Sequence, residues 1–138
     1  VHPSRPIRLL VAGVATLALL AGCQSESAAN RQPYLGATTA AATDGVQDVT
    51  LVVGTGFRFT PSTVTVHPGK VKITLKYVGN SEPHNWQLVG FPGDFVPLTT
   101  AGETNSTTFT APAPGKYQFE CTIHVKQGQV GTLIVLPS

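Results

Sequence analysis

The sequence predicts an all-β domain built as a two-sheet β-sandwich of seven or eight short strands. Three observations carry this. From residue 47 onward, β-branched and aromatic residues fall in short runs, several of which alternate apolar and polar. Turn residues divide the runs: Pro68-Gly69, Gly79-Asn80 and Pro114-Gly115. No stretch of this region shows a capped helix, an internal repeat or a coiled-coil period. A chain of 138 residues is a prior for one such domain.

The elements follow in order. Val49 to Val53 is β-branched except at Leu51 and suits a pleated surface. Phe57-Arg58-Phe59-Thr60 alternates and stops at Pro61; Ser62 to Val66 resumes and closes at Pro68-Gly69. Lys70 to Val78 alternates almost perfectly, which predicts a buried face (Val71, Ile73, Leu75, Tyr77) and a wet one (Lys70, Lys72, Lys76). His84 to Val89 is a further short strand. Gly90 to Gly102 holds two prolines and three glycines and is expected to be mostly loop. Thr104 to Thr110 is a Thr-rich strand. Tyr117, Phe119 and Cys121 share one face of the next, and Gln129 to Leu136 closes the chain.

The first part of the chain differs. Arg5 and Arg8 give a positive start, and the uncharged 14-residue run Leu9 to Gly22 follows. That run is shorter than the roughly 20 residues a spanning helix needs, and fits the core of a signal peptide. Val1 stands where a Met is usual; an alternative start codon and a trimmed N-terminus would each account for it. The run ends Leu20-Ala21-Gly22-Cys23, which resembles a bacterial lipobox. Residues 1–22 are therefore expected to be a lipoprotein signal peptide, with Cys23 as the lipidated first residue of the mature chain. Residues 23–46 are small and polar and are expected to be a flexible linker, spanning about 26 Å by random-coil scaling. The β-domain is expected over 47–138.

Cleavage at Cys23 changes the charge. Losing Arg5 and Arg8 takes Lys+Arg from 9 to 7, against 7 Asp+Glu. A near-neutral mature protein gives no reason to expect a nucleic-acid partner. Of the two cysteines, acylated Cys23 leaves Cys121 without a partner in the chain. An unpaired thiol in an exported protein is buried and inert, paired between molecules, or chemically used.

The chemistry gathers at Cys121-Thr122-Ile123-His124 and the following Val125-Lys126-Gln127-Gly128-Gln129. A thiolate and an imidazole three positions apart on a loop can face one metal. His84, at a loop-to-strand junction, is the best second imidazole. Four closed Cys and His ligands would suit zinc; two imidazoles, one thiolate and a weak axial ligand suit blue copper. Taken singly, Cys121 reads as a buried small hydrophobe and His84, after Pro83, as a turn residue. His67 reads as a surface turn, Trp86 as core packing, and the sequon Asn105-Ser106-Thr107 as strand surface.

Gly115 to His124, running on to Gln129-Val130-Gly131-Thr132-Leu133-Ile134-Val135, is similar to the closing strands of plastocyanin-like cupredoxins, and His84-Asn85 resembles their first-ligand segment. The resemblance covers about residues 47–138. It implies a Greek-key sandwich holding one type 1 copper, with His84, Cys121 and His124 as strong ligands. The usual axial Met would fall at position 129; this chain has Gln129 there and no Met at all. Some members use a Gln amide oxygen, and Gln129 looks like that case. An oxygen donor favours Cu(II), so the expected potential is lower than in Met-ligated relatives. The resemblance also implies that Asn85 and Thr122 hydrogen-bond each other and the sulfur. Ile123 departs from the Pro that many members carry.

These expectations add up to a monomeric one-electron carrier, lipid-anchored on the outer side of a bacterial membrane and serving redox partner proteins. Electrons would pass through an exposed edge of His124, with Val125, Phe91, Phe95 and Pro97 as docking residues. Copper delivery is weaker for want of Met and His. A metal-free binding module is weaker because the donors are present. An enzyme would need further motifs: paired His-x-His, or a second nearby Cys.

Overall fold

Two sheets face each other across one apolar core. The computed structural model describes residues 36–54, 56–80 and 82–138. The strands are β1 (Ala37–Thr39), β2 (Ala42–Thr43), β3 (Val46–Val53), β4 (Thr63–Val66), β5 (Lys70–Tyr77), β6 (His84–Leu88), β7 (Phe91–Thr99), β8 (Thr104–Thr110), β9 (Gly115–Glu120) and β10 (Val130–Val135). One sheet runs β1-β4-β10-β9-β6-β7 and the other β2-β3-β5-β8. A 3-10 turn, Val125–Gln127, is the only helical element among the described residues.

Period-two patterning decides which faces meet. In β5, Val71, Ile73, Leu75 and Tyr77 are buried, while Lys70 and Lys76 are exposed. Strand β3 lies parallel to it in unbroken register, Val46 against Lys70 through Val53 against Tyr77. Val49, Leu51 and Val53 therefore enter the same core. Trp86, Leu88, Phe119, Leu133 and Val135 meet them from the opposite sheet. Trp86 is core, as expected, stacked on Phe109 at 5.7 Å. Each such side chain contributes about 1.5–3 kcal/mol on burial.

Three expectations need correction. The described residues hold ten strands, more than the seven or eight expected. The linker expected over 23–46 is folded from Gly36 onward. Strand β1 pairs in parallel with β4, and β2 forms a hairpin with β3 through Asp44 (φ 52) and Gly45 (φ 79). Asp-Gly with both residues at positive φ is a hairpin turn, and strands this short need backbone pairing more than apolar burial. Gly90 to Gly102 is not mostly loop, because it contains β7. Pro92 and Pro97 are tolerated there since β7 ends its sheet, where a missing N–H breaks no ladder. The expected signal peptide, Cys23 and linker residues 24–35 lie outside the described residues.

Candidate metal centre

The donors arrive on two supports, the start of β6 and the connection between β9 and β10. His84 opens β6, where it pairs with Thr99 of β7. Cys121 follows the last residue of β9. His124 and Gln129 lie on the loop that returns the chain to β10. That loop is tied at its neck, Cys121 N–H donating to the Gln129 carbonyl at 3.0 Å. Inside, His124 N–H donates to the Cys121 carbonyl (3.0 Å) and Gln127 N–H to the His124 carbonyl (3.0 Å). Gly128, at φ 85, ends the 3-10 turn in the left-handed region, where a side chain would be strained.

The side chains converge. The ligating atoms of His84, Cys121 and His124 lie within 4.8 Å of one another. The two Nδ1 atoms are 3.2 Å apart, and Cys121 Sγ is 3.5 Å from His124 Nδ1. Gln129 Oε1 reaches 2.8 Å from His84 Nδ1. Donors about 2.0–2.3 Å from one ion, as nitrogen and sulfur ligands of a first-row metal are, would sit roughly 3.5–3.8 Å apart. The 3.5 Å sulfur–nitrogen spacing matches that, while the 3.2 Å and 2.8 Å separations are shorter, at hydrogen-bond distance. A thiol, two imidazoles and an amide oxygen that converge in this way form a donor set that can hold a metal ion.

The surroundings favour ligation. His84, Cys121 and Gln129 are fully buried, and His124 is 7% exposed. Burial is the main cause holding His84 below the usual histidine pKa; the Gln129 hydrogen bond opposes it, His124 adds to the lowering, and Glu82 works against it. Neutral imidazole is the form that binds metal. Cys121 is a free, buried thiol, the only cysteine among the described residues.

A polar clamp joins the two ligand segments. Asn85 Nδ2 donates to Thr122 Oγ1 at 2.7 Å, and Thr122 N–H donates to Asn85 Oδ1 at 2.8 Å. Asn85 N–H points at Cys121 Sγ, 3.5 Å away. The expected bonds between Asn85 and Thr122 are thus in place, and the contact to the sulfur comes from the Asn85 backbone. Gln129 has its own brace: Nε2 donates to the Arg58 carbonyl at 3.2 Å, which turns Oε1 toward the other donors. Such outer contacts orient ligands and tune the metal.

His124 keeps a small exposed edge, 7% of its surface, and its ring packs against Phe57 with centroids 4.7 Å apart. One detail departs from expectation: the four suggested docking residues do not form one patch. Val125 adjoins His124, whereas Phe91 pairs with Leu88, four residues along β6 from His84, and its ring meets Tyr117. Sequence reasoning missed Phe57 and the Arg58 carbonyl. Their alternating run was visible, but nothing in it placed the β3–β4 connection over the site. Ile123, 50% exposed, extends the apolar rim beside Val125.

Comparison with known proteins agrees. The metal-binding domain of the Cu(I)-exporting P-type ATPase CopA of Streptococcus pneumoniae is similar at 17% identity and TM-score 0.62, covering 75% of this chain and 98% of that one. Auracyanin A, a blue copper protein of Chloroflexus aurantiacus, is similar at 24% identity and TM-score 0.57, covering 66% and 99%. The auracyanin of Roseiflexus castenholzii is similar at 22% and 0.58, covering 65% and 97%. At these identities the likeness speaks for the fold. A family model described as a cupredoxin-like domain matches residues 13–135, nearly the whole chain. With the fold, the His-Cys-His group able to bind a copper ion and that match together, the chain belongs to the cupredoxin-like family.

Proposed function

We propose that the protein is a one-electron carrier, held by lipid at Cys23 on the outer face of a bacterial membrane. The observation that carries this is a donor set gathered, buried and braced by the chain's own hydrogen bonds. Copper held by His84, Cys121, His124 and Gln129 would supply the one-electron couple. The chain's own part is to keep the donors in place. The Asn85–Thr122 clamp fixes the two ligand segments relative to each other, and the tied loop fixes His124 and Gln129. Little then has to move when charge changes at the site, which suits a carrier more than a protein that hands its metal on. The burial of three donors likewise keeps water out.

Redox proteins are the proposed partners, meeting the end of the sandwich at which His124, Phe57, Ile123 and Val125 lie. A monomer suffices for this role. The lipid anchor follows from Leu20-Ala21-Gly22-Cys23 and is the basis for the membrane location.

Visible absorption after adding Cu(II) tests the central claim, with Cys121→Ser beside it. An intense band that bleaches on reduction, returns on reoxidation and is absent in the variant is expected. Weak copper binding that survives the Cys121 change would sink the carrier reading. Membrane fractionation with Cys23→Ser tests the anchor: the variant is expected in the soluble fraction, and retention in the membrane would refute it.

A further inference from the structure

Metal can reach or leave this site by few routes. His84, Cys121 and Gln129 are fully buried, so His124, at 7% exposed, is the outermost donor. Its ring meets the half-buried Phe57 ring, at 4.7 Å between centroids and tilted by 49°.

Phe57 is held in that seat from several directions. The connection bearing it is pinched at its base, where Val52 N–H donates to the Thr60 carbonyl (2.8 Å) and Thr60 N–H to the Val52 carbonyl (3.1 Å). Two residues on, Phe59 is fully buried and meets Phe119 edge-on at 5.3 Å. Between them, the Arg58 carbonyl accepts the Gln129 amide at 3.2 Å. Gly54 packs so tightly that a Cβ there would lie 2.8 Å from the Tyr77 ring and 2.5 Å from the Val78 carbonyl oxygen. The ring over His124 therefore belongs to a braced segment.

We propose that Phe57 is a positioning residue for His124 and the lid that governs metal exchange. This rests on the reading of the site as a copper centre. With three donors sealed, an ion enters or leaves when the His124 imidazole swings outward, and that swing requires Phe57 to give way. The same contact holds the imidazole in its ligating orientation.

The test uses the full chain in detergent, loaded with copper, and follows loss of the thiolate–copper band to excess chelator. An aromatic contact of this kind corresponds to roughly a two- to tenfold effect on a rate, so Phe57→Ala is expected to release copper about tenfold faster. Phe57→Tyr keeps a ring and is expected to stay near the wild-type rate; Phe57→Leu, which keeps apolar bulk, falls between and serves if the alanine variant folds poorly. The unfolding midpoint of each variant separates faster release from general loosening. Equal release from wild type and the Ala and Leu variants overturns the proposal. A second readout needs no copper. In the metal-free chain the Phe57 ring current should shift the His124 ring protons, and that shift should vanish in Phe57→Ala and persist in Phe57→Tyr; no change in Phe57→Ala also overturns it. Absence of any thiolate–copper band in the wild type would instead count against the copper reading, and the ring-current measurement would still decide the contact.

Discussion

Replacing Asn85 with Ala removes the clamp between the two ligand segments, and the size of the loss can be worked from its contacts. The Asn85 side chain makes two hydrogen bonds to Thr122, at 2.7 and 2.8 Å. A neutral hydrogen bond contributes about 1 kcal/mol net, and more is lost when the remaining partner is left buried and unpaired. Thr122 is exposed, so water can satisfy its freed N–H and hydroxyl. The larger penalty does not apply, and the expected loss is about 2 kcal/mol. That is roughly a 30-fold fall in the folded-to-unfolded ratio. Urea unfolding of the metal-free chain measures it, as a midpoint shift of about 1 M for a slope near 2 kcal/mol per M. Thr122→Ala removes only the hydroxyl bond and should cost about 1 kcal/mol. In the double variant the two losses should fall short of additive by about 1 kcal/mol, because the shared bond is counted once. A loss under about 0.5 kcal/mol for Asn85→Ala would refute the clamp.

Other outcomes follow from the same geometry. Gly131→Ala would press a methyl into the Phe119 ring and the Ser62 carbonyl, and should cost about 1–3 kcal/mol in thermal or urea unfolding. His84 has its pKa lowered from 6.5 by burial, so the unfolded chain takes up a proton that the folded chain resists. The metal-free protein should hold full stability above pH 6.5, lose it as pH falls below 6.5, and stop losing it once the folded-state histidine also protonates; stability flat across that window would count against a buried neutral His84. Gln129→Met should raise the reduction potential in voltammetry, because a thioether favours Cu(I) more than an amide oxygen does; an unchanged or lower potential would remove Gln129 from the axial role.

The donors were legible because they sit inside one short motif, and because His84 follows a recognisable turn. Alternation fixed the β5 face and the Tyr117-Phe119-Cys121 face correctly, since period two needs only neighbouring residues. What failed depended on partners distant in sequence. Ala37-Thr38-Thr39 has no strand pattern of its own and becomes β1 by pairing with the open side of β4. Strand β7 carries two prolines, and only its place at the end of a sheet permits them. Asp44-Gly45 was a readable hairpin turn inside a stretch whose composition resembled a tether. Phe57 lies 67 positions before His124, and no local rule joins them.

The connection between β3 and β4 makes the centre harder to divide into independent parts than a list of ligands implies. Arg58 offers its carbonyl to Gln129, and the adjacent Phe57 covers His124. Phe59, one residue further, is locked in the core. A shift in this segment would therefore free the Gln129 amide and loosen the His124 ring together. Substitutions at Gly54 should be felt at both, because a Cβ there collides with the Val78 carbonyl and with the buried Tyr77 ring rather than with a side chain free to move aside. Gly54→Ala is accordingly expected to disturb the spectrum of the loaded site as well as stability. If stability fell while the spectrum stayed as in the wild type, the β3–β4 connection would be a structural loop that merely passes near the metal site.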